Sequence, residues 1–225
     1  MTLPFSAVFF DMDGTFVNTE PHWLIAETEL MAQFGHPWTV ADQQFCLGGP
    51  LTKVGKYMWE LAGQKESPDY FHHELVRRTI AHFDSGIEFM PGALELLLEL
   101  KSHNVPVGLV TASPAPLLSA TLQSLDEQYF DVTVSSADVK KVKPDPEGYI
   151  LAANRIGVDI NDTLILEDSL TGIAAGIASG AAVIAIPHIV EVPEQGRVRV
   201  ISSLEGMTVD SLINLYVPKD QEAGV

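Results

Sequence analysis

One cysteine, Cys46, is present in 225 residues. An internal disulfide framework is therefore excluded, and the chain suits a reducing compartment. Cys46 itself is expected to be a small core residue. Positive charge is scarce: 13 Lys and Arg stand against 30 Asp and Glu, for a formal net charge of −17. That balance disfavours a nucleic-acid partner or an anionic membrane surface, although a locally positive pocket is compatible with it. No stretch reaches about twenty uninterrupted apolar residues, and the N-terminus has no basic segment followed by an apolar one. The expectation is a soluble, cytoplasmic protein with no membrane partner. There is no internal repeat and no low-complexity tract. The 46% of hydrophobic residues is enough for a large core, either one big domain or a core with a smaller insert.

The first apolar run, Ala7-Val8-Phe9-Phe10, ends abruptly in Asp11-Met12-Asp13-Gly14-Thr15. A Val/Phe run reads as a strand buried on both faces. Side chains two apart on extended backbone share a side, so Asp11 and Asp13 are expected together where the strand gives out. Two such carboxylates are costly without a cation between them, and their oxygens suit a hard ion such as Mg²⁺.

From about Asn18 to Phe89 the pattern is helical, with starts at Thr19-Glu20-Pro21, Pro50 and Ser67-Pro68 and no convincing strand. Beyond Pro91-Gly92, helices alternate with short apolar runs: Val105–Val110, Val132–Ser135, Thr163–Leu166 and Ala181–Ile186, with Val198–Ile201 as a last edge strand. Alternation of this kind predicts an α/β fold, a doubly wound parallel-sheet core of Rossmann-like type with an inserted α-helical cap. The expected division is a core of residues 1–17 and 90–225 and a cap of residues 18–89. Pro218 onward reads as a tail.

In open parallel sheets ligands sit beyond the carboxyl ends of the strands. Polar groups end three of these strands: Asp11/Asp13, Thr111/Ser113 and Glu167/Asp168, and the loop carrying Lys143 is placed to fold over the same edge. Taken singly, Thr111 and Ser113 read as helix caps, Lys143 as a solvated lysine and Glu167-Asp168 as an acidic helix start. Together they describe something else. Four carboxylates in one crevice need a divalent cation, while the Thr111 hydroxyl, nearby main-chain N–H groups and Lys143 suit an anion. The combination predicts a phosphate held against Mg²⁺.

These stretches resemble the four motifs of the haloacid-dehalogenase superfamily: Asp11-Met12-Asp13-Gly14-Thr15, Thr111-Ala112-Ser113, Lys143-Pro144, and Leu166-Glu167-Asp168-Ser169 with Gly172 and Gly176. The resemblance covers nearly the whole chain. It points to the helical-cap subgroup that includes beta-phosphoglucomutase-like and phosphoglycolate-phosphatase-like proteins. It implies a Mg²⁺-dependent phosphatase for a small phosphorylated metabolite, working through an aspartyl-phosphate. Asp11 would be the nucleophile and Asp13 the general acid and base. Asp11 and Asp168 would bind the ion, joined by the Asp13 main-chain carbonyl, with Glu167 a further ligand or a supporting group. Thr111, the Ala112 N–H and Lys143 would hold the phosphoryl oxygens. An acid at Asp13 sets the chain apart from the dehalogenases and phosphonate hydrolases of this fold, which lack it.

Two departures bear on substrate. Asn18 stands in the cap hinge where the subgroup usually has an acid. The cap loop Leu47-Gly48-Gly49-Pro50-Leu51-Thr52-Lys53 resembles a specificity loop, but the arginine that phosphoglucomutases carry near the Thr52 position is replaced by its neighbour Lys53. Glu20, His22, Gly49 and Lys53 are the cap residues expected to face substrate. A sugar-phosphate mutase and a non-catalytic metabolite-binding protein are the competing readings, and a monomer or weak dimer is expected.

Overall fold

The computed structural model describes residues 3–46, 50–83, 86–125, 129–187 and 191–219. In chain order the elements begin with β1 (Ala7–Phe10), β2 (Val17–Asn18), α1 (Glu20–Ala32), α2 (Val40–Cys46), α3 (Leu51–Leu61), α4 (Pro68–His82) and β3 (Glu88–Phe89). Next come α5 (Ala93–Ser102), β4 (Val107–Val110), α6 (Ala115–Gln123), β5 (Val132–Val134) and α7 (Glu147–Ile156). The chain continues through β6 (Thr163–Glu167), α8 (Leu170–Ser179), β7 (Ala182–Ala185), β8 (Val198–Val200) and α9 (Val209–Leu215). The architecture is α/β: a six-stranded parallel sheet with an inserted helical region, α1–α4.

Strand order is β5-β4-β1-β6-β7-β8, and every neighbouring pair is parallel. Phe10 lies opposite Leu109 on one side and Leu166 on the other, so β1, β4 and β6 give out near one level. After β1 the chain builds outward through β4 and β5, then returns to the opposite flank of β1 with β6, β7 and β8. This reversal of direction opens a crevice at the carboxyl end of β1.

The centre of the sheet is buried on both faces: β1, β4 and β7 are apolar and buried at every position. Ala7, Phe9, Ile165 and Val183 share a core with Tyr149, Ala152 and Ala153 of α7 and Ile173 and Ala175 of α8. By the two-residue period Val8 and Phe10 turn to the other face, and α5 packs on β4.

Contacts divide the chain into two units, one of Met1–Asn18, Phe89–Ala115 and Glu127–Val225, the other of Thr19–Glu88 and Pro116–Asp126. The second unit is built on Leu30, Met31, Met58, Phe71 and Leu75, with Cys46 buried among them. Pro21 and Pro68 stand in the first turns of α1 and α4, and Ser67 caps α4 by accepting from the Tyr70 N–H at 3.1 Å.

Two expectations for residues 18–89 are corrected. Asn18, Glu88 and Phe89 belong to short strands, β2 pairing with β3 in a two-stranded ribbon. A fourth helix, α2, is also present. Its seven residues lack an apolar stripe, but a reciprocal cap starts it: Asp42 N–H donates to Thr39 Oγ1 at 3.3 Å and Thr39 N–H to Asp42 Oδ2 at 2.8 Å.

Glu27 is a buried acid in this unit, with Trp38 Nε1–H donating to its Oε2 at 3.0 Å. Burial pushes its carboxyl up to about 7 from an ordinary 4.5, against the opposing pull of the Trp38 hydrogen bond. A carboxyl raised on folding favours the folded state fully below the unfolded value. That contribution is lost as pH rises through the folded value, over a window of about 4.5 to 7. The ceiling is roughly 3 kcal/mol, from about 1.4 kcal/mol per unit. Glu27→Gln should therefore show a flatter stability profile than the parent between about pH 4.5 and 7. Urea titrations followed by tryptophan fluorescence check this, since Trp23, Trp38 and Trp59 all lie in this unit. Parallel profiles would exclude the effect.

Candidate active site

Leaving β1, the backbone continues the ladder for one residue, the Asp11 N–H donating to Leu166 O at 3.0 Å. It then turns at Gly14, whose φ of +84° is the left-handed region. A second constraint acts at the same residue: a Cβ on Gly14 would stand 2.5 Å from Asp168 Oδ2. The turn thus brings Thr15 within reach, and its hydroxyl donates to Asp168 Oδ1 at 3.1 Å.

Asp11 and Glu167 are buried, Asp168 is half-buried, and one oxygen from each lies within 4.8 Å of the others. Among the described residues no other such cluster is present. Lys143 closes the group. Its ammonium donates to Asp11 Oδ1 at 2.5 Å, Glu167 Oε1 at 2.6 Å and Val110 O at 2.8 Å, with its side chain 6% exposed. The solvated reading of this lysine is thereby excluded.

Glu167 takes two more kinds of donor. The Tyr149 hydroxyl donates to Oε1 at 2.8 Å, and the Ser169 N–H and hydroxyl donate to Oε2 at 3.2 and 3.1 Å. Ser169 also caps α8, its Oγ accepting from the Gly172 N–H at 3.0 Å. Gly172 has to be glycine, because a Cβ there would lie 1.7 Å from Glu167 Oε1.

Asp13 is held separately. Its Oδ2 accepts from Ser113 Oγ at 2.8 Å and Thr111 Oγ1 at 3.2 Å, and Thr111 Oγ1 accepts from the Ser113 N–H at 2.9 Å. Capping-type and site-facing contacts therefore coexist at the end of β4.

The electrostatics follow from burial. Asp11 is raised well above the ordinary carboxylate range, chiefly by burial and then by Glu167, with Lys143 opposing. Burial pulls Lys143 down, but Asp11 and Glu167 outweigh it and hold the ammonium above its usual value. Burial and the Glu167 charge raise the Tyr149 phenol well above its own. Asp11, Glu167 and Asp168 thus gather three carboxyl groups around one ammonium. The donor set is all hard oxygen, and it fits a divalent metal.

Asp11, Asp13, Thr111, Lys143, Glu167 and Asp168 are thus brought together, and Ala112 sits exposed beside Thr111. The cap candidates belong to the second unit. Glu20 is exposed in the first turn of α1. His22 is buried, its ring edge-on to Phe83 at 5.3 Å. Lys53 Nζ stands 4.2 Å from the Phe45 ring centre. Gly49 lies outside the described residues. Sequence reasoning missed Tyr149 as a site residue, and the contacts of Ser113 and Thr15. For Tyr149 the available signal was its place six residues after Lys143, in the first turns of the helix that follows the lysine loop.

The family model described as haloacid dehalogenase-like hydrolase matches residues 8–186. A phosphorylated carbohydrates phosphatase of Thermotoga maritima is 32% identical over 175 residues, covering 77% of this chain and 81% of the relative. Hexitol phosphatase B of Escherichia coli is 31% identical over 186 residues, covering 80% and 83%. The crystal structure of beta-phosphoglucomutase from Clostridium difficile superposes with a TM-score of 0.79 at 20% identity, covering 94% of this chain and 97% of that one. At that identity the likeness shows the fold alone.

Proposed function

Because the chain belongs to the haloacid dehalogenase-like hydrolase family, as a phosphoric monoester hydrolase, we propose that it removes phosphate from a small phosphorylated sugar or polyol in a Mg²⁺-dependent reaction. The observation that carries this reading is the buried Lys143 ammonium lodged between Asp11 and Glu167 at the end of β1. The names of the T. maritima and E. coli relatives support the substrate class.

Asp11 attacks phosphorus in line. The phosphorus–ester oxygen bond breaks, and the leaving oxygen takes a proton from Asp13. Water then attacks the aspartyl-phosphate, Asp13 accepts its proton, and the Asp11 carboxylate is released with inorganic phosphate. Lys143, Thr111 and the Ala112 N–H hold the phosphoryl oxygens. Asp11 and Asp168 would hold the ion, with the Asp13 main-chain carbonyl, and Glu167 completes the acidic set. Bound there, Mg²⁺ supplies positive charge that lets one anion approach another.

Phosphate release from hexose, pentose and hexitol phosphates, phosphoglycolate and nucleotides is the direct test. At least one sugar or polyol phosphate should be hydrolysed, and chelation should lower the rate by about a hundredfold until Mg²⁺ is restored. No release from any ester would sink the reading. So would conversion between two monophosphates that depends on an added bisphosphate.

A further inference from the structure

Glu167 is fully occupied. A carboxylate has about four lone-pair positions, and here each oxygen takes two donors: Lys143 and Tyr149 on Oε1, the Ser169 N–H and hydroxyl on Oε2. The side chain is 0% exposed and lies against Gly172, so little room is left for it to swing. Asp168 is half-buried and accepts from the Thr15 hydroxyl at 3.1 Å. Tyr149 is 1% exposed, its ring 6.5 Å from Phe9 and 4.9 Å from the Lys143 ammonium. One residue thus touches both members of the Lys143–Glu167 pair, through its hydroxyl and through its ring.

We propose that Tyr149 is a positioning residue: with Ser169 it saturates Glu167, so that this carboxylate serves Lys143 and the cation is left to Asp11 and Asp168. The inference rests on the phosphatase reading for its catalytic consequence, but not for its geometry. Losing the Tyr149 hydroxyl would loosen Glu167, and with it the ammonium that faces the phosphoryl group.

Tyr149→Phe tests this, because it removes one oxygen and keeps the ring on Phe9. With ¹⁵N-labelled lysine, exchange of the Lys143 ammonium protons with water should quicken several-fold. Calorimetry should give a Mg²⁺ Kd within about twofold of the parent, whereas Asp168→Asn weakens it tenfold or more. On the best ester, kcat should fall about tenfold while KM stays within about twofold. Unchanged ammonium exchange overturns the proposal. A Mg²⁺ Kd weakened as much as by Asp168→Asn overturns it too, as does an unchanged kcat in an active enzyme. The parent protein gives a reading that needs no variant: the Tyr149 hydroxyl proton should be a resolved low-field resonance with and without Mg²⁺. Its disappearance on adding Mg²⁺ would mean that Glu167 has turned to the ion, against the proposal. If the parent hydrolyses no ester, the phosphatase reading falls alone, and exchange, calorimetry and the hydroxyl resonance still decide the role of Tyr149.

Discussion

Asp11→Asn should abolish turnover, by at least about a thousandfold, and leave no phosphorylated protein in acid-quenched reactions. Asparagine matches the shape of aspartate but carries no nucleophilic carboxylate. Asp13→Asn should behave differently, because the structure holds the two acids differently. Asp11 lies with Glu167 and Asp168 and against Lys143. The Asp13 carboxylate is turned to Ser113 and Thr111 instead. Asp13→Asn keeps the main-chain carbonyl and should spare most Mg²⁺ binding. It should slow release of a poor leaving group far more than of an aryl phosphate, whose phenolate needs little protonation. With the aryl ester, phosphoprotein should accumulate, since the water step lacks its base. Rapid-quench measurements with labelled substrate distinguish the two variants. If both simply lose Mg²⁺ binding alike, the division of roles is wrong.

Arg197→Met should cost about 3–5 kcal/mol of stability, the largest structural effect expected in this molecule. Arg197 is 5% exposed, and the partners of its guanidinium are neutral. Nε donates to Val217 O at 2.7 Å, Nη1 to Gly180 O, and Nη2 to Asn161 O at 2.7 Å and Tyr216 Oη at 3.2 Å. One side chain therefore ties the segment after α9 to the end of α8 and to the turn before β6. Methionine fills similar volume but strands the Val217 and Gly180 carbonyls away from water and leaves Asn161 O only the Tyr216 hydroxyl at 3.5 Å. Arg197→Lys should recover only part of the loss, because one compact ammonium cannot span acceptors set for a planar fork. Urea titrations followed by far-ultraviolet circular dichroism are the measurement, since the tryptophans lie in the other unit. A change below about 1 kcal/mol for Arg197→Met would show that the carbonyls find other partners.

The residues that were legible in the sequence are those whose chemistry clashes with their local pattern. A Val/Phe run that stops at two carboxylates, or a Leu/Ile run that stops at Glu167-Asp168, violates strand logic unless something binds there. The parallel sheet was legible for a related reason: β1, β4 and β7 are apolar at every position. Tyr149 and Arg197 were not legible. A tyrosine in an amphipathic helix satisfies the core pattern whether or not its hydroxyl reaches a carboxylate. The acceptors of Arg197 are mainly main-chain carbonyls, which every sequence has and none advertises. The helix α2 escaped because seven residues cannot show a periodic stripe, although the Thr39-x-x-Asp42 pattern was there to be read.

Cys46 lies buried in the helical unit with its thiol pushed up to about 12, mainly by burial. Only the thiolate is readily alkylated, so the native protein offers almost no reactive sulfur at neutral pH. Since it is the chain's sole cysteine, any covalent labelling comes from one place and requires that place to open. The alkylation rate is thus a clock for local unfolding, set by how often the helices part around Cys46. The protein carries its own reporter of breathing, with no engineered probe and no background to subtract.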